Sequence, residues 1–592
     1  MFENRTRILT GPITPIDVFR HPELSPDERQ CHLLARRWFH APRHPKSAFL
    51  KVAADDFYRL YINGERVCES PYAGYAFDTP VSRIDLRPYL KHGKNLMALD
   101  VFYDGGISDR TVSGDGLLFF VFEVEIDGKV VARSDDRTHC LYTGAPDAAA
   151  DGEVIDLRRI PARWNQPDFS ENGWQKAGSE NTDGIRFNED CVPGSAVRTL
   201  LPKQQGNRFT PDREIFGYLT IDTAGTADTR ILITLTSHTG SESHLLVICD
   251  GTRRSVTTCV PAVFDRVFCD VTGSVSDIRL SCLECVIPSD GEVCTVSGAD
   301  REAAELFDRA LEAIKVCPRG GLPLCDLAEA ELERAALCGS TARFKQLLRL
   351  WRSTDFSSRL LLSRAPSAIL CEDAECSLLF PVFSLIYFRL SGNAVFGREL
   401  LQASEKLLTF LSTYAREDGM IADVPGQSCS SMRLNALYAG ARRAFEALSS
   451  ALDVRVDIKF PDLAAAFRRA FPSSALTEGR ESLYPLLFGL MPEEARAEHM
   501  AALRSVLPDL QGAEKFFALW ITNEISPESP AASAVVYAFR RLDLLSAITP
   551  GKLWTPLRAA DTPDLRLTLR AGCRLIRYEK TSAYQNVTLS EV

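Results

Sequence analysis

The hydrophobic pattern changes its period once along the 592-residue chain, near residue 300, and this change limits the folds that are possible. Before it, apolar and polar residues alternate in short runs such as ADTRILITLTSH (227–238). A period of two puts every second side chain on one face of a strand. After it, apolar residues recur every three or four positions, as in GRELLQASEKLLTFLSTYARED (397–418), and this is the period of a helix. The sequence therefore predicts a β-rich part followed by an α-helical part.

Turn signals mark the ends of the alternating runs. Asn63-Gly64, Asp127-Gly128 and Asp250-Gly251 are dipeptides that favour the two-residue turns of antiparallel hairpins. About 270 residues of this pattern fit two β-sandwiches better than one. In the later part, roughly ten helical segments are separated by glycine or proline, which predicts a helical bundle or an α/α toroid.

The charge and hydropathy of the chain argue against two classes of partner. Its net charge is −10 and its pI about 5.6. It has no basic stripe with interleaved aromatic residues, so no nucleic-acid partner is expected. The longest apolar runs, such as LLFPVFSLIYF (378–388), are too short to span a bilayer, so no membrane partner is expected. The first residues lack the basic and apolar segments of a secretory signal.

Cysteine usage indicates the compartment. The 17 cysteines are odd in number and scattered from Cys31 to Cys573, whereas a secreted protein tends to use cysteines in paired numbers. We therefore expect buried free thiols and a cytoplasmic location. Cys282-Leu-Glu-Cys285 has no second pair beside it, and the nine histidines show no ligand spacing. Neither a metal site nor a cofactor is predicted.

The segment CDLAEAELERAALCGSTAR (325–343) concentrates acidic residues: Asp326, Glu329, Glu331 and Glu333 lie within eight residues. Paired carboxylates are what glycoside hydrolysis needs, one to protonate the leaving oxygen and one to activate a water or attack the sugar. Acidic residues are also common in the first turn of ordinary helices, and Asp326 followed by Glu329 is the pattern of a capping box. An active site and a helix start both remain open here.

Three segments resemble one family of enzymes. LKVAADDFYRLYINGERV (50–67) and YLKHGKNLMALDVFYDGG (89–106) are similar to the N-terminal β-sandwich of the bacterial α-L-rhamnosidases, a family of glycoside hydrolases. GEVIDLRRIPARWNQPDFSENGWQKA (152–177) is similar to a further family segment, in which Gly-Glu and Asp-x-Arg precede two spaced tryptophans. Here these are Trp164 and Trp174. We expect both to pack at the edge of a core or a domain seam, with a sugar-stacking platform as the alternative.

The resemblance extends over residues 30–560 and implies a fold, because two sandwiches followed by a toroid is the architecture of the family. We therefore expect two antiparallel, jelly-roll-like β-sandwiches followed by an (α/α)6-type helical toroid. The expected segments are an N-terminal extension at 1–29, a first sandwich at 30–200, a second sandwich at 201–298, the toroid at 299–560 and a short β appendix at 561–592.

The family's catalytic stretch begins an early toroid helix, and the acidic segment occupies that place. Aligned from its start, Asp326 keeps the first aspartate and Glu331 the central glutamate. Aligned from its end, Glu333 and Arg334 match an acidic–arginine pair, and Ser340 replaces the final aspartate. The resemblance therefore implies Asp326, Glu331 and Glu333 as catalytic candidates and Arg334 as a substrate-binding residue.

Two later segments hold the other candidates. AITPGKLWTPL (547–557) matches the family's second catalytic segment. Trp554 keeps its tryptophan, which makes it a substrate-binding candidate, and Thr555 stands at the catalytic glutamate. LCEDAECSLLF (370–380) lies near a loop that lines the sugar pocket in the family, so its carboxylates are either substrate-binding candidates or members of a solvated loop. These carboxylates are Glu372, Asp373 and Glu375.

The family inverts the anomeric centre, which requires a general acid and a general base about 6.5–9.5 Å apart with a water between them. Ser340 and Thr555 cannot replace ionised carboxylates at neutral pH. The sequence therefore predicts an α-L-rhamnosidase-like glycoside hydrolase that acts on or binds rhamnosides or other deoxy-sugar glycans, with weak or lost catalysis. The alternative is a non-catalytic carbohydrate-binding or interaction protein on the same scaffold. Catalytic activity, the sugar, the oligomeric state and calcium binding are left open.

The cysteine pattern gives a direct prediction. When the protein is unfolded without reductant and treated with a maleimide, nearly all 17 cysteines should react, because no disulfide framework is expected. Mass spectrometry of the intact chain counts the added groups. Several cysteines that react only after reduction would contradict the expected compartment.

Overall fold

A computed structural model gives the fold of the chain. The described residues are 2–3, 5–12, 29–70, 75–105, 118–146, 152–176, 178, 185–193, 196–286, 294–297, 305, 309–310, 313–314, 322–338, 340–354, 360–365, 371–456, 463–472, 479–522, 524, 526, 529–541 and 588–591. The chain divides into two compact units: Met1–Pro288 forms the body of a β unit, and most later residues form a helical unit. The predicted fold class is confirmed.

Twenty-three strands build the described part of the β unit. They are β1 Leu9–Thr10, β2 Cys31–Ala41, β3 Ala48–Asp55, β4 Phe57–Ile62, β5 Glu65–Glu69, β6 Thr79–Asp85, β7 Gly93–Tyr103, β8 Phe119–Ile126, β9 Lys129–Arg133, β10 His139–Tyr142, β11 Glu153–Asp156, β12 Gln175–Lys176, β13 Phe187–Pro193, β14 Ala196–Leu200, β15 Lys203–Gln205, β16 Arg208–Thr210, β17 Ile215–Gly225, β18 Arg230–Thr236, β19 Glu242–Ile248, β20 Arg253–Thr257, β21 Ala262–Phe264, β22 Arg266–Thr272 and β23 Val275–Val286, all within the described ranges.

The first sandwich consists of two six-stranded sheets. One has the strand order β1-β8-β3-β6-β13 with β9 on β8, and the other has the order β12-β10-β2-β7-β4-β5. Strand pairs are antiparallel, except that β13 is parallel to β6. Leu50 and Phe122 from the first sheet meet Leu33 and Leu99 from the second in one apolar core. Burial of this shared face holds the two sheets together.

The second sandwich packs the sheet β11-β19-β18-β22-β16-β15 against the sheet β14-β23-β17-β20, which has β21 on β17. Strand β18 shows the predicted alternation, because Ile231, Ile233 and Leu235 are buried whereas Leu232 is 40% exposed. Strand β11 joins this sandwich parallel to β19, and the chain later returns to the first sandwich as β13. Strands of the two sandwiches therefore alternate along the chain, and the expected domain boundaries stay predictions.

The first predicted hairpin turn is confirmed in detail. Asn63 and Gly64 have φ angles of +53° and +85°, as a type I′ turn requires. The Asn63 side chain donates to Asn95 Oδ1 at 2.9 Å and accepts from the backbone N–H of Leu96 at 3.0 Å. Asn95 Oδ1 also accepts from the backbone N–H of Lys91 at 2.8 Å. Asn95, which follows Gly93 and Lys94, thus holds two connections of the sheet together.

The two tryptophans of the 152–177 segment pack against the first sandwich. Trp164 and Trp174 stack with ring centroids 6.3 Å apart, and Trp164 lies in a small cluster with Leu34 and Ala98. The buried guanidinium of Arg36 fixes this segment, since it donates to several backbone carbonyls, including that of Gln166 at 3.0 Å, and pairs with Glu171 at 2.9 Å. The pair lies at the edge of a core, as expected.

Ten α-helices form the helical unit in the described part of the chain. They are α1 Leu324–Cys338, α2 Ala342–Arg352, α3 Ala374–Ser391, α4 Ala394–Ser412, α5 Ser431–Ala451, α6 Leu463–Ala470, α7 Leu483–Leu487, α8 Glu493–Val506, α9 Gly512–Thr522 and α10 Pro530–Arg541. Two short strands, β24 Cys294–Ser297 and β25 Thr588–Glu591, pair in the same unit. Of the expected β appendix, only residues 588–591 are described.

Five of these helices close into a ring. Helices α1, α3, α5, α7 and α9 contact one another in that order, and α9 contacts α1 again. Helices α2, α4 and α8 each contact the ring helices before and after them along the chain. This alternation of ring and flanking helices is that of an α/α toroid.

Helix α3 is the most apolar member of the ring. By length and composition alone, Ala374–Ser391 is the one described helix that could cross a membrane, but 83% of its residues are buried inside the structure. Its side chains contribute to the large apolar core of the helical unit. A core position therefore accounts for its hydrophobicity.

The structure describes twelve of the cysteines with their side chains, and all twelve are free thiols. Nine of these twelve are buried. Burial raises the pKa of Cys140 and of Cys282 to about 12. These thiols act as small apolar core residues.

A close contact between α5 and the end of α7 generates a stability prediction. A methyl group added at Gly440 would collide with the buried ring of Phe488. Gly440→Ala should therefore destabilise the helical unit by roughly 1–3 kcal/mol through overpacking, although alanine favours a helix by about 1 kcal/mol over glycine.

Chemical unfolding monitored by circular dichroism measures this change. In the double variant with Phe488→Leu, the alanine should add little further loss, because the colliding ring is gone. Equal losses from Gly440→Ala with and without the ring would show that the contact is not the cause.

Candidate functional site

The ring helices of the toroid begin at one end, and their first turns meet there. We call this place the rim cluster and define it by five residues, one from each ring helix. They are Asp326 of α1, Glu375 of α3, Arg433 of α5, Tyr484 of α7 and Glu514 of α9. Helix N-termini favour negative charge, so carboxylates at this end are stabilised by three different helices.

Arg433 connects most of the rim cluster. Its Nη2 donates to Glu375 Oε1 and to Glu514 Oε1, and its Nη1 donates to the Arg480 carbonyl at 3.1 Å. The guanidinium carbon lies 4.7 Å from the centre of the Tyr484 ring, at cation–π distance. The side chain of Arg433 is only 3% exposed. Two carboxylates compensate the burial of this charge.

The hydroxyl of Tyr484 and a second arginine complete the network. Tyr484 donates to Glu375 Oε1 at 3.2 Å. Arg480, whose side chain is 60% exposed, pairs with Glu514 at 2.9 Å. Ser430, the N-cap of α5, donates to Glu481. Exposed donors and acceptors therefore surround a buried ion-pair centre.

Asp326 is the catalytic candidate that the structure places in the rim cluster. It lies in the first turn of α1, but the helix end that it caps belongs to α9, because its Oδ1 accepts from the Ala513 N–H at 2.9 Å. Gly512, with φ of +51°, lies against this carboxyl, and a side chain there would collide with it. Burial raises the pKa of Asp326, and the charges of Glu514 and Glu375 add to the effect. A carboxyl with a raised pKa suits a general acid.

Glu331, the second catalytic candidate, is buried away from the rim cluster in an ion-pair network. Its Oε2 accepts from Arg334 Nε at 3.2 Å, and its Oε1 accepts from Arg343 Nε at 3.3 Å. Arg334 also donates to the Ile314 carbonyl. These contacts connect α1 to α2 and to the segment before α1, so Glu331 and Arg334 both have structural partners.

Glu333, the third candidate, forms a buried carboxyl pair with Glu329 one turn earlier on α1. Burial raises the pKa of Glu333, and the neighbouring Glu329 adds to the rise. Burial likewise raises the pKa of Glu329 to about 7. Glu333 Oε1 has no hydrogen-bond partner among the described residues. Two carboxyls this close share protons rather than carry two charges.

The remaining candidates have different placements. Asp373 caps α3 by accepting from the Cys376 N–H at 2.7 Å, and Ser428 donates to its other oxygen at 3.1 Å. Glu372 forms an isolated β-bridge with Leu362. Ser340 is half-buried before α2. Trp554 and Thr555 lie outside the described residues. The catalytic and substrate-binding assignments stay predictions.

The sequence analysis did not single out Arg433, Tyr484 or Glu514. One signal was present for Glu514, since it is an acidic residue in a helix first turn, as Asp326 and Glu375 are. Arg433 gave no such signal, because an arginine in a first turn opposes the helix dipole. Its partners lie 58 and 81 residues away along the chain. Only the closed ring brings these residues together.

Comparison with known proteins shows which family model and which solved structures resemble this chain. Residues 43–196 match the family model described as the alpha-L-rhamnosidase N-terminal domain. The chain is similar to the GH78 family rhamnosidase of Bacillus sp. GL1, with a TM-score of 0.67 and 13% identity over 97% of this chain and 91% of that chain. It is also similar to the α-L-rhamnosidase of Aspergillus terreus, with a TM-score of 0.63 and 14% identity over 98% of this chain and 76% of that one.

A third similar structure is the Streptomyces avermitilis α-L-rhamnosidase complexed with L-rhamnose. Its TM-score is 0.60 at 13% identity, covering 90% of this chain and 59% of that one. No curated protein matches the sequence. The predicted resemblance is thus confirmed by the N-terminal domain and by the fold.

The carboxyl pair on α1 generates a prediction about pH. In the folded chain Glu329 holds a proton that the unfolded chain releases above its ordinary carboxyl pKa, so the stabilising effect of this proton is present at low pH and is lost as pH rises through the folded-state pKa of about 7. Glu329→Gln removes this loss. The difference in free energy of unfolding between the variant and the parent should shift in favour of the variant by on the order of 1–2 kcal/mol when the pH is raised from 5.5 to 8.

Denaturant unfolding of the helical unit at the two pH values measures the difference. The exposed Glu417→Gln is the control and should leave the pH dependence unchanged. A parent protein whose stability does not fall relative to Glu329→Gln between pH 5.5 and pH 8 would contradict the protonated pair.

Proposed function

We propose, from an α-L-rhamnosidase N-terminal domain joined to the rhamnosidase fold, that the protein binds a rhamnoside or another deoxy-sugar glycan at the rim cluster. We propose further that it hydrolyses this ligand slowly or not at all. The observation that carries the second part is that several of its carboxylates already pair with buried or half-buried arginines. Glu331 pairs with Arg334 and Arg343, and Glu375 and Glu514 pair with Arg433.

An inverting hydrolase needs one protonated and one ionised carboxyl that face each other across a water. Asp326, with its raised pKa, supplies a candidate acid. Glu375 and Glu514 both accept from the same nitrogen of Arg433, so their bonded oxygens lie close together on one side of that guanidinium. These two oxygens are therefore occupied by hydrogen bonds to the guanidinium. The rim cluster thus suits ligand binding better than proton transfer.

The groups around this centre suit recognition of sugar hydroxyls. Arg480 is largely exposed and forms an ion pair with Glu514. Two serine hydroxyls lie nearby: Ser430 donates to Glu481, and Ser428 donates to Asp373. A few well-placed donors and acceptors are what orients a polar ligand in a site. L-rhamnose is the ligand of one structurally similar protein, and its binding here is part of the proposal.

A non-catalytic carbohydrate-binding or interaction protein on the same scaffold is the second candidate function. The double ion pair of Glu331 favours it, since a carboxylate held by Arg334 at 3.2 Å and Arg343 at 3.3 Å is not available to a substrate. The two functions differ in one measurable property. A weak hydrolase retains turnover that depends on Asp326, whereas a binding protein has none.

The proposal also covers the cellular location of the protein and the classes of partner that it is not expected to bind. We propose a cytoplasmic protein without nucleic-acid or membrane partners. Twelve described cysteines with free thiols and a net charge of −10 support this, because oxidising compartments favour disulfides and nucleic acid favours basic surfaces.

The activity prediction concerns a chromogenic α-L-rhamnoside such as p-nitrophenyl α-L-rhamnopyranoside. Turnover should lie below about 1 s⁻¹, since loss of one acting carboxylate removes about 10²–10⁴-fold from proton transfer. If turnover is detectable, Asp326→Asn should lower it at least about tenfold, while the exposed Glu417→Gln should not change it. Release of p-nitrophenol gives the rate.

Turnover above this limit would contradict weak catalysis and would show that other carboxylates act. Glu331→Gln and Glu333→Gln would then be assayed first. If neither lowers the rate, the acid would be sought among Glu372, Asp373 and Glu375.

The binding prediction uses L-rhamnose itself. Calorimetric titration should detect binding, and Arg480→Gln should weaken it by about tenfold, because a charge-assisted hydrogen bond is lost. Arg496→Gln is the matched control, since Arg496 is also a partly exposed arginine of the helical unit and pairs with Glu493. Equal effects of the two substitutions would contradict a ligand at the rim cluster.

A further inference from the structure

A cavity of about 730 Å³ lies in the β unit, and none of its lining residues belongs to the rim cluster. Both sandwiches line it. His32, Arg59 and Tyr61 come from the first, and Thr220 and Ser281 come from the second. Its volume is within the range of small-molecule sites. No part of the proposed sugar site in the toroid uses it.

The charged groups on its walls are mainly cationic. Asp100 is the one carboxylate among the described lining residues, whereas five arginines line the cavity. The arginines are Arg59, Arg66, Arg163, Arg253 and Arg254. Several of these arginines form ion pairs with acidic residues that do not line the cavity. One example is Arg254, which pairs with Asp250 at 2.6 Å. This arrangement presents fixed guanidinium groups to the cavity.

Arg59 has unused hydrogen-bonding capacity in this wall. It is buried, with only 6% of the residue exposed. Its Nη2 donates to the carbonyls of Thr257 and Thr258, but its Nε has no hydrogen-bond partner. The contacts of Nε with Glu69 and of Nη1 with Asp100 are both as long as 3.7 Å. A buried donor without a partner costs free energy, which a bound acceptor would recover.

A metal ion fits this wall less well than an anion does. His32, Asp100 and Cys259 offer ligand atoms within 4.8 Å of one another. However, Arg59 lies 3.7 Å from Asp100 and 3.8 Å from Cys259. The guanidinium already supplies a positive charge to these groups, so a divalent cation would be repelled.

The remaining polar lining consists of hydroxyl and amide groups. Six hydroxyl side chains and two amides line the cavity: Thr199, Thr220, Thr252, Ser255, Thr257, Ser281, Asn165 and Gln166. Tyr61 and Trp164 add aromatic surface. Groups of this kind both donate to and accept from hydroxyls, whereas arginine recognises carboxylates and phosphates.

We propose that this cavity is a second ligand site, which binds a polyhydroxylated anion of the acidic-saccharide class through its carboxylate. The arginine wall with Arg59 and Arg66 binds the anionic group. The threonine and serine hydroxyls of the second sandwich bind the ring hydroxyls. The site is independent of the toroid and needs no catalytic group.

The test compares D-glucuronate with D-glucose, which lacks the carboxylate, and with acetate, which lacks the ring. Calorimetric titration of the full chain at fixed ionic strength should give D-glucuronate an affinity about tenfold higher than that of either control compound. Arg66→Gln should reduce this affinity by about tenfold, and Ser281→Ala should reduce it about threefold through loss of one hydroxyl. Arg66 is partly exposed, at 26% of its side chain.

Arg266→Gln is the matched control, because Arg266 lies on the second sandwich outside the cavity and pairs with Asp265. It should leave D-glucuronate binding unchanged, and Arg66→Gln should leave L-rhamnose binding unchanged. Equal affinity for D-glucose and D-glucuronate, or equal effects of Arg66→Gln and Arg266→Gln, would overturn the proposal. Loss of L-rhamnose binding alone would concern the toroid site and not this cavity.

Discussion

The burial of one guanidinium group, that of Arg433, constrains the N-terminal end of the toroid. A charge with 3% of its side chain exposed is tolerated only with close partners, and removal of a partner from such a pair typically costs about 3–5 kcal/mol. Glu375 and Glu514 are those partners. Because they belong to α3 and α9, the charge fixes where these two helices begin relative to α5. The polar groups of the rim cluster are placed by this requirement.

The same constraint supports the proposal that catalysis is weak or lost. Carboxylates that pair with a buried arginine have oxygens engaged in hydrogen bonds, whereas inverting catalysis needs one carboxyl that gives a proton and one that takes it. Glu331 likewise forms ion pairs with Arg334 and Arg343. Asp326 keeps a raised pKa, but its oxygen caps α9. The acidic segment of α1 therefore contributes to the stability of the helical unit.

The hydrophobic period predicted the order of sheets and helices, because burial of one face is a local property that the chain itself displays. The Asn63-Gly64 turn was predictable for the same reason. Strand β11 was not predictable in this way, since its partner β19 begins almost 90 residues later and the parallel pairing leaves no turn signal between them. The contact of Glu331 with Arg343 depends on how α1 and α2 pack together. The contact of Asp326 with Ala513, 187 residues apart, depends on ring closure. The acidic residues were visible in the sequence, but their roles were not.

The most direct test of this account is a crystal structure of the protein soaked with L-rhamnose. The account predicts the sugar at the rim cluster, in contact with Arg480 or its neighbours, with Glu375 and Glu514 still bonded to Arg433. The account would be contradicted if the sugar lay elsewhere. It would also be contradicted if one of these carboxylates left Arg433 to face Asp326 across the anomeric carbon, at about 6.5–9.5 Å with a water between them.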